Sequence, residues 1–357
     1  MTSPVPAPAF DTFRLGSVEL ANRIVMAPMT RSRAYGPGET PTELMATYYA
    51  QRAGLIITEG TQPSVVGQGY PDTPGLHSVA QVEAWRRVTD AVRAEGGVIF
   101  AQLMHTGCTG DPDLLPGDLT PVGPSAVAAA GQIYTHAGMK PFPVPRELTE
   151  DEIAETVADF ATAARNAIAA GFDGVELHGA NGYLIHQFLS SNANQRTDSW
   201  GGTVEGRIRF ALEVAAAVVA EIGADRVGIR LSPGNPLHDI VEDDPHLTYK
   251  ALLDGLADLG LVYVHVMESP GLRDLTQSLR AQWPGAFILN PATVPEPTGP
   301  NELALIEDST AELVSFGGLF LATRICLPAS RPAARSTPRT GRRRSVATTA
   351  ATPTTRP

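Results

Sequence analysis

Eight short apolar runs recur along the chain, and a turn and a longer segment with apolar residues at helical spacing follow most of them. Near-continuous apolar strands that alternate with amphipathic helices predict a parallel sheet covered by helices. Eight such units over roughly 300 residues fit a closed (β/α)8 TIM barrel better than an open Rossmann sheet. The predicted strands are Ile24–Pro28, Leu55–Gly60, Val98–Leu103, Gly174–His178, Val227–Leu231, Val262–Met267, Ala286–Leu289 and Leu313–Phe316.

The segments between these strands predict the helices and one long loop. The loop Met104–Arg146 is rich in Pro and Gly, and long loops in compact domains are usually functional, so it is interpreted as a lid over the barrel's C-terminal mouth. Thr149 and Glu152 form a capping box for the helix that follows it. The predicted helices are Thr42–Ala53, Val79–Glu95, Asp151–Ala170, Val204–Ile222 and Leu247–Leu259.

Charge and cysteine content limit the possible partners and the compartment. The formal net charge of −11 argues against nucleic acid or an anionic membrane as a partner, because either would repel the protein, and favours a small-molecule ligand. Cys108 and Cys326 are too few and too far apart for a disulfide framework or a zinc site, so a reducing, cytoplasmic location and no metal are predicted. No signal sequence or membrane span is expected, and the number of subunits is left open.

Three polar side chains lie within six residues after the predicted strand Gly174–His178. His178 and Asn181 can donate hydrogen bonds to a carbonyl or nitro oxygen and stabilise negative charge there. Tyr183, a phenol that stays protonated at neutral pH, can then deliver a proton to a carbanion or enolate. The C-terminal ends of barrel strands are where such enzymes build their sites, so these residues are the predicted catalytic group.

Other strand ends add candidate binding residues. Thr30 follows the first strand, Gly60 the second, and Gln102 lies on the third. Arg230 lies within the apolar fifth strand, where its burial would be costly unless a bound ligand accepts its hydrogen bonds. The loops after the seventh and eighth barrel strands commonly hold a phosphate; here they carry Asn290–Pro291 and Gly317–Gly318.

From about Phe13 to Ala322 the chain resembles the old yellow enzyme family of flavin-dependent ene-reductases. The resemblance depends on seven ordered runs rather than on one short motif. These are Ala27-Pro28-Met29-Thr30-Arg31, Tyr48-Tyr49-Ala50-Gln51-Arg52, Ile57-Thr58-Glu59-Gly60, Ala101-Gln102-Leu103-Met104-His105, His178 to Gln187, Asn192 to Asp198 and Arg230-Leu231-Ser232-Pro233.

The resemblance implies an FMN cofactor, reduced by NADPH or NADH, which then leaves before an activated alkene enters the same pocket. That order explains why no Gly-x-Gly-x-x-Gly turn for a pyridine nucleotide is found. His178 and Asn181 would hold the substrate oxygen, and Tyr183 would protonate the α-carbon after hydride reaches the β-carbon. The implied FMN contacts are Pro28, Met29, Thr30 and Gly60 along the ring, Thr30 and Gln102 bonding its polar edge, Arg230 near N1 and O2, and Gly317 and Gly318 at the phosphate.

Two alternatives remain open at this point. Nitroesters, nitroaromatics and quinones present a similar oxygen to His178 and Asn181, so reduction of such compounds is an alternative activity on the same site. A flavin-binding protein with little or no turnover is an alternative of another class. One departure favours weaker FMN binding: Gly318 replaces an arginine that many family members direct at the phosphate.

The C-terminal segment differs in character from the rest of the chain. From Ala329 onward only Ala, Ser, Arg, Pro, Thr, Gly and Val occur, with seven arginines and no acidic residue. Adding one base before codon 323 allows the segment to encode Asn-Pro-Asp-Leu-Pro, the family's next motif, and an aromatic end. We therefore expect an FMN-binding barrel over residues 1–322 and a disordered tail over 323–357 produced by a frameshift. A natural basic tail that binds an acidic partner is the alternative.

Overall fold

The structure is a computed structural model, and it describes residues 7–50 and 53–322. The described strands are β1 Phe13–Leu15, β2 Val18–Leu20, β3 Ile24–Met26, β4 Leu55–Ile57, β5 Ile99–Leu103, β6 Val122–Gly123, β7 Gln132–Thr135, β8 Gly138–Pro141, β9 Arg146–Glu147, β10 Gly174–Gly179, β11 Val227–Leu231, β12 Tyr263–Met267, β13 Ala286–Asn290 and β14 Leu313–Phe316. The described helices are α1 Glu43–Tyr49, α2 Val79–Ala94, α3 Glu150–Ala169, α4 Leu184–Leu189, α5 Val204–Ile222, α6 Pro245–Leu259, α7 Arg273–Gln282, α8 Ala304–Glu307 and α9 Gly318–Ala322.

Eight of these strands form a closed parallel barrel, which confirms the predicted (β/α)8 fold. Their order around the barrel is β3, β4, β5, β10, β11, β12, β13 and β14. The ring closes where Phe316 of β14 lies in register with Met26 of β3. Because all eight strands run in one direction, their carboxyl ends gather at one mouth, where side chains distant in sequence can meet.

An antiparallel hairpin, β1–β2, lies against the opposite end of the barrel. Its Leu15 and Leu20 are buried in one apolar cluster with Leu55 and Leu313, the first residues of β4 and β14. These leucines therefore seal the N-terminal end of the barrel interior.

The excursion after β5 reaches the C-terminal mouth, as the sequence predicted. Its second half is closed by the short parallel pair β6–β9, and the hairpin β7–β8 lies between these two strands. The Ala130 amide donates to Asp239 at 3.0 Å, and the Phe142 ring packs edge-on against His238, 5.9 Å between centroids. Asp239 and His238 belong to the loop after β11, so the excursion partly covers the mouth.

Helix α1 ends at Tyr49, four residues before the predicted Ala53. The backbone of Gly54 passes so close to Asn22 that a Cβ at Gly54 would lie 2.0 Å from the Asn22 carbonyl oxygen. A helix that ended at Ala53 would leave Gly54 alone before the strand at Leu55, and such connections usually need about two to six residues, so a shorter helix is expected. Helices α4, α7, α8 and α9 were not predicted; α4 has six residues, all of them buried, and such a segment shows no amphipathic period.

No helix in the described part of the chain is long and apolar enough to span a membrane. The predicted tail, residues 323–357, lies outside the described residues.

Arg196, in the segment between α4 and α5, binds the backbone directly after β6 and directly after β9. Its Nη1 donates to the carbonyl oxygens of Pro124 at 3.0 Å and Leu148 at 2.6 Å, directly after β6 and β9. Nη2 and Nε both donate to Asp198. A guanidinium is suited to this position because its donors point in fixed directions.

Arg196→Met should lower the free energy of unfolding by about 3 kcal/mol, because it leaves buried carbonyl groups and the Asp198 carboxylate without their donor. Urea unfolding followed by circular dichroism measures this change. Arg165→Met is the matched control: Arg165 is exposed, its pair with Glu221 lies on the surface, and its loss should cost less than about 1 kcal/mol. Equal losses in the two variants would refute the role given to Arg196.

Candidate active site

The predicted catalytic strand β10 and the arginine-bearing strand β11 are neighbours in the barrel. His178 lies in register with Arg230, and Arg230 with His265 of β12. All three side chains are at least nine-tenths buried. The barrel therefore brings an arginine and two histidines to one level near the C-terminal mouth.

The hydrogen bonds of His178 fix which ring nitrogen carries its proton. Gln102 Nε2 lies 3.3 Å from His178 Nδ1 and can donate to it. Burial and the neighbouring Arg230 cation hold the pKa of His178 well below its usual value, so the ring is neutral at neutral pH. With Nδ1 accepting, Nε2 carries the hydrogen and can donate to a bound oxygen.

A buried carboxylate, Glu176, orients Gln102. Glu176 Oε1 accepts from Gln102 Nε2 at 2.8 Å, and Oε2 accepts from Tyr263 at 3.1 Å and from His265 Nδ1 at 2.8 Å. A carboxylate can only accept, so the amide nitrogen of Gln102 must face it, and the amide oxygen is turned the other way. Gly228 makes the contact with Tyr263 possible, because a Cβ there would lie 2.2 Å from the Tyr263 ring.

The turn after β10 holds Asn181 in a left-handed conformation, φ 57°. Its backbone N–H donates to Ser232 Oγ at 2.8 Å, and its backbone carbonyl oxygen lies 2.7 Å from His238 Nδ1. The Asn181 Oδ1 atom is buried and has no hydrogen-bond partner among the described residues. The backbone is thus fixed from both sides, and the side chain remains available to a ligand.

Tyr183 is the N-cap residue of α4 and is nearly buried. Its hydroxyl lies 2.9 Å from the hydroxyl of Tyr70, and its ring lies 5.1 Å from the His178 ring, centroid to centroid. Burial, with Tyr70 beside it, raises the pKa of Tyr183 well above its usual value. The phenol is therefore protonated at neutral pH, the state that a general acid requires.

Arg230 is a buried cation with an unused donor. Its Nη2 donates to Asn290 Oδ1 at 3.1 Å, while its Nε has no partner among the described residues. Burial lowers the pKa of Arg230, and the Glu176 carboxylate opposes that effect. Asn290 was expected near a phosphate, yet its amide is engaged by Arg230 and by the Ser315 carbonyl oxygen, 3.2 Å from Nδ2.

The segment after β3 carries the predicted ring contacts Pro28, Met29 and Thr30, and a buried carboxylate fixes it. Glu59 Oε2 accepts from the amides of Arg31 at 2.9 Å and Ser32 at 3.3 Å. Tyr49 donates to Glu59 Oε1 at 3.3 Å. Pro28 and Met29 are half-buried and Thr30 is exposed, so these residues form part of the mouth's surface.

Glycines mark two further places at the mouth. A Cβ at Gly60 would lie 2.4 Å from the Sδ and Cε atoms of Met104, so a side chain there would require the Met104 side chain to move. Gly317 and Gly318 directly follow β14, and Gly318 begins the short helix α9. Gly318 is exposed, which leaves its backbone accessible to a ligand.

The barrel thus brings most of the predicted residues to the C-terminal ends of its strands, and it adds others. Tyr70, Glu59, Glu176 and His238 were not predicted as site residues. Tyr70 and His238 lie in loops, 113 and 55 residues from Tyr183 in sequence, and no local pattern links them to it. Glu59 and Glu176 gave one usable signal: each is a carboxylate within or directly after an apolar strand, where its burial requires partners.

A closed eight-stranded barrel with its polar cluster at the C-terminal mouth has the architecture of a barrel enzyme. A family model for the NADH:flavin oxidoreductase / NADH oxidase family matches residues 8–322. The chain belongs to this family, the old yellow enzymes, and is an NAD(P)H-dependent flavin oxidoreductase. The family's activity is the FMN-dependent reduction of activated C=C bonds.

Curated relatives and solved structures agree with this assignment. The chain is 42% identical to a putative 12-oxophytodienoate reductase 2 of Oryza sativa subsp. japonica over 328 residues, 88% of this chain and 84% of the relative. It is 48% identical to the chanoclavine-I aldehyde reductase fgaOx3 of Penicillium roqueforti over 266 residues, 73% and 69% of the two chains. The old yellow enzyme homologue from Zymomonas mobilis superposes with a TM-score of 0.83 at 39% identity, covering 89% of this chain and 90% of that one. Morphinone reductase gives 0.83 at 37% identity, covering 90% and 89%.

Glu59 should make the stability of the protein depend on pH. Burial raises the pKa of this carboxyl to about 7 in the fold, above 4.5 for an unperturbed carboxyl. The folded state then binds more protons than the unfolded state between these pH values, so this group's contribution to stability falls as pH rises through that range. The contribution amounts to about 3 kcal/mol at most.

Glu59→Gln keeps an oxygen acceptor for the Arg31 and Ser32 amides but cannot titrate. Its free energy of unfolding should therefore lose this decline, and the difference from the wild type should grow between pH 4.5 and 7. Urea unfolding at five pH values measures it. Glu221→Gln, which changes a partly exposed surface carboxylate, should leave the wild-type pH profile in place. Parallel profiles for wild type and E59Q would contradict the assignment.

Proposed function

We propose that this protein uses NADPH or NADH to reduce the C=C bond of α,β-unsaturated carbonyl compounds, with FMN as its cofactor. The observation that carries the proposal is the group after β10. There a neutral His178 whose Nε2 bears the hydrogen and a backbone-fixed Asn181 lie beside a protonated, nearly buried Tyr183. Two hydrogen-bonding side chains for an oxygen and one proton donor suit polarisation of an enone followed by protonation of its α-carbon.

The residues at the mouth fit a flavin ring. The buried Arg230 Nε has no partner in the described part of the chain, and a flavin offers acceptors at N1 and O2 to satisfy it. Gln102 turns its amide oxygen away from Glu176, as a ring N–H would require. Pro28, Met29, Thr30 and Gly60 would then lie along the ring, and Gly317 and Gly318 near the phosphate. A reduced flavin, when bound, supplies a hydride, and the Arg230 cation would favour its anionic form.

The protein's own residues would supply the remaining steps. His178 and Asn181 hold the carbonyl oxygen and stabilise the charge that develops on it as hydride reaches the β-carbon. Tyr183 then transfers its hydroxyl proton to the α-carbon. The excursion over the mouth limits the entry of water, because Phe142 and Ala130 lie against the loop after β11.

Tyr183→Phe should leave the reduction of bound flavin by NADPH unchanged and slow the alkene step by roughly 10²- to 10⁴-fold, because the variant lacks the proton donor. Anaerobic stopped-flow absorbance measures the two half-reactions separately. Tyr134→Phe is the matched control, since Tyr134 is an exposed tyrosine of the excursion. Equal slowing of both half-reactions in Y183F would remove Tyr183 from the proton-donor role.

A panel of enones, maleimides, quinones and nitro compounds then tests the substrate class. Faster turnover of enones than of nitro compounds is the expected order. Protein that binds flavin but oxidises NADPH with none of the acceptors would contradict the proposed activity. Protein purified without flavin and unable to take up FMN would contradict the cofactor as well.

We also propose that the functional domain spans residues 1–322 and that residues 323–357 are read in a shifted frame. The family match ends at residue 322, next to the point where the composition changes. The nucleotide sequence should show Asn-Pro-Asp-Leu-Pro in the adjacent frame after codon 322. A protein with the restored frame should unfold at a higher temperature than this chain, because the native segment would add apolar burial worth roughly 25 cal/mol per Å². An adjacent frame without that motif would refute the interpretation.

A further inference from the structure

Tyr183 is connected to a histidine at the edge of the mouth by one hydroxyl group. The Tyr183 and Tyr70 hydroxyls are 2.9 Å apart, and Tyr70 Oη lies 3.4 Å from His238 Nε2. Tyr183 is 9% exposed, whereas Tyr70 and His238 are both half-buried. The three groups thus form a continuous path from a nearly buried acid to a group that solvent reaches.

The neighbours of His238 determine how its proton is placed. Its Nδ1 lies 2.7 Å from the carbonyl oxygen of Asn181, which can only accept, so Nδ1 carries a hydrogen. In the neutral ring, Nε2 then accepts from Tyr70. In the protonated ring, Nε2 becomes a donor to Tyr70. A change of charge on His238 therefore reverses the hydrogen bond to Tyr70.

The backbone conformation and the ring contacts of His238 hold it in one position. Its backbone has φ 55°, a left-handed conformation, and its ring lies between Tyr183, 5.1 Å between centroids, and Phe142 at 5.9 Å. Left-handed conformations carry a cost that surrounding contacts must offset, and they concentrate at functional sites.

We propose that His238 returns a proton to Tyr183 through Tyr70 after each turnover, an inference that rests on the proposed role of Tyr183 as proton donor. When Tyr183 has given its proton to the substrate α-carbon, its phenolate takes the Tyr70 hydroxyl proton. Tyr70 takes the Nε2 proton of the protonated His238 ring, and the neutral ring that results takes up one proton from water at the mouth. Each donor regains what it gave, so the net change is one proton from solvent to product.

The charges around His238 set the direction of its pH response. The titratable groups Tyr70 and Tyr183 face it, His178 of β10 and His186 of α4 are near enough to interact with it electrostatically, and Asp239 is adjacent in sequence. Burial lowers the pKa of His238, the Asn181 carbonyl opposes this shift, and His186 adds to it. The supply of protons through His238 should therefore decline as pH rises through a pKa below the usual histidine value.

His238→Asn tests the path, because asparagine tolerates the left-handed backbone and can donate to Asn181 but does not titrate. With enzyme reduced in advance and alkene added in stopped flow, the first turnover should match the wild type, since Tyr183 starts protonated. The kcat for alkene reduction should fall at least about tenfold, a smaller loss than for a direct catalytic acid. The variant should also lose the wild-type rise in kcat toward acidic pH. His246→Asn, at an exposed histidine of α6, is the control that should show none of these changes.

Chemical rescue separates proton transfer from shape. Glycine also accepts φ 55° and leaves space at the position of the ring, so imidazole added to His238→Gly should restore kcat several-fold. A readout independent of turnover is the nitrogen NMR titration of His238 in the flavin-bound protein. Tyr70→Phe should shift the pKa of His238, and His246→Asn should leave the pKa of His238 unchanged.

The possible results separate the proton path from a purely structural role of His238 and from failure of the proposed function. Loss of later turnovers with an intact first turnover, together with rescue by imidazole, supports the path. Wild-type kcat and pH profile in H238N, or equal slowing of the first and later turnovers, would overturn it while leaving the ene-reductase activity in place. A wild-type protein that binds flavin but reduces no alkene would instead remove the proposed function on which the path depends.

Discussion

The site depends on a buried carboxylate beneath it. Glu176 is fully buried in the barrel, and three neighbouring side chains donate to its two oxygens. The Arg230 cation lies near enough to oppose its charge. Turning one of these donors away would leave the buried charge partly unpaired and would destabilise the fold by several kcal/mol. Each donor is therefore held in one orientation. The amide of Gln102 is one of them, and through it Glu176 sets which nitrogen of His178 carries the hydrogen.

The turn after β10 is fixed by different means, because its residues have left the barrel ladder. Ser232 accepts from the amide of Asn181, His238 donates to its carbonyl oxygen, and the Gly182 amide donates to His186 at 3.0 Å. Ser232 and His238 both follow β11, so the loop of one strand orders the turn of its neighbour. The backbone contacts therefore position Asn181 and Tyr183 without using their side-chain hydrogen-bonding groups. The Asn181 side chain remains available to a ligand, and the Tyr183 hydroxyl contacts Tyr70.

The sequence predicted the features that depend on local patterns and missed those that depend on contacts between distant segments. All eight barrel strands were predicted within a few residues, because each apolar run is a local pattern. His178 and Tyr183 were predicted as neighbours because one strand end carries both. Tyr70 and His238 were missed because only the closed barrel brings their loops to Tyr183. The predicted helix left Gly54 alone before the strand at Leu55, a connection short enough to favour a shorter helix, and α1 does end at Tyr49.

Burial shifts the pKa values of His178 and Tyr183, which lie beside the proposed substrate position, in opposite directions. Both shifts keep these side chains uncharged. It holds the pKa of His178 low and the pKa of Tyr183 high, since each charged form would lose its hydration. The positive charge of the site is then concentrated on Arg230. Its Nη2 donates to Asn290, and its Nε has no partner among the described residues. In the proposed reaction, uncharged N–H and O–H groups would polarise a neutral carbonyl compound, and the cation would hold the cofactor. Because charge would develop on the substrate oxygen only during that reaction, these donors would interact more strongly with the transition state than with the bound substrate.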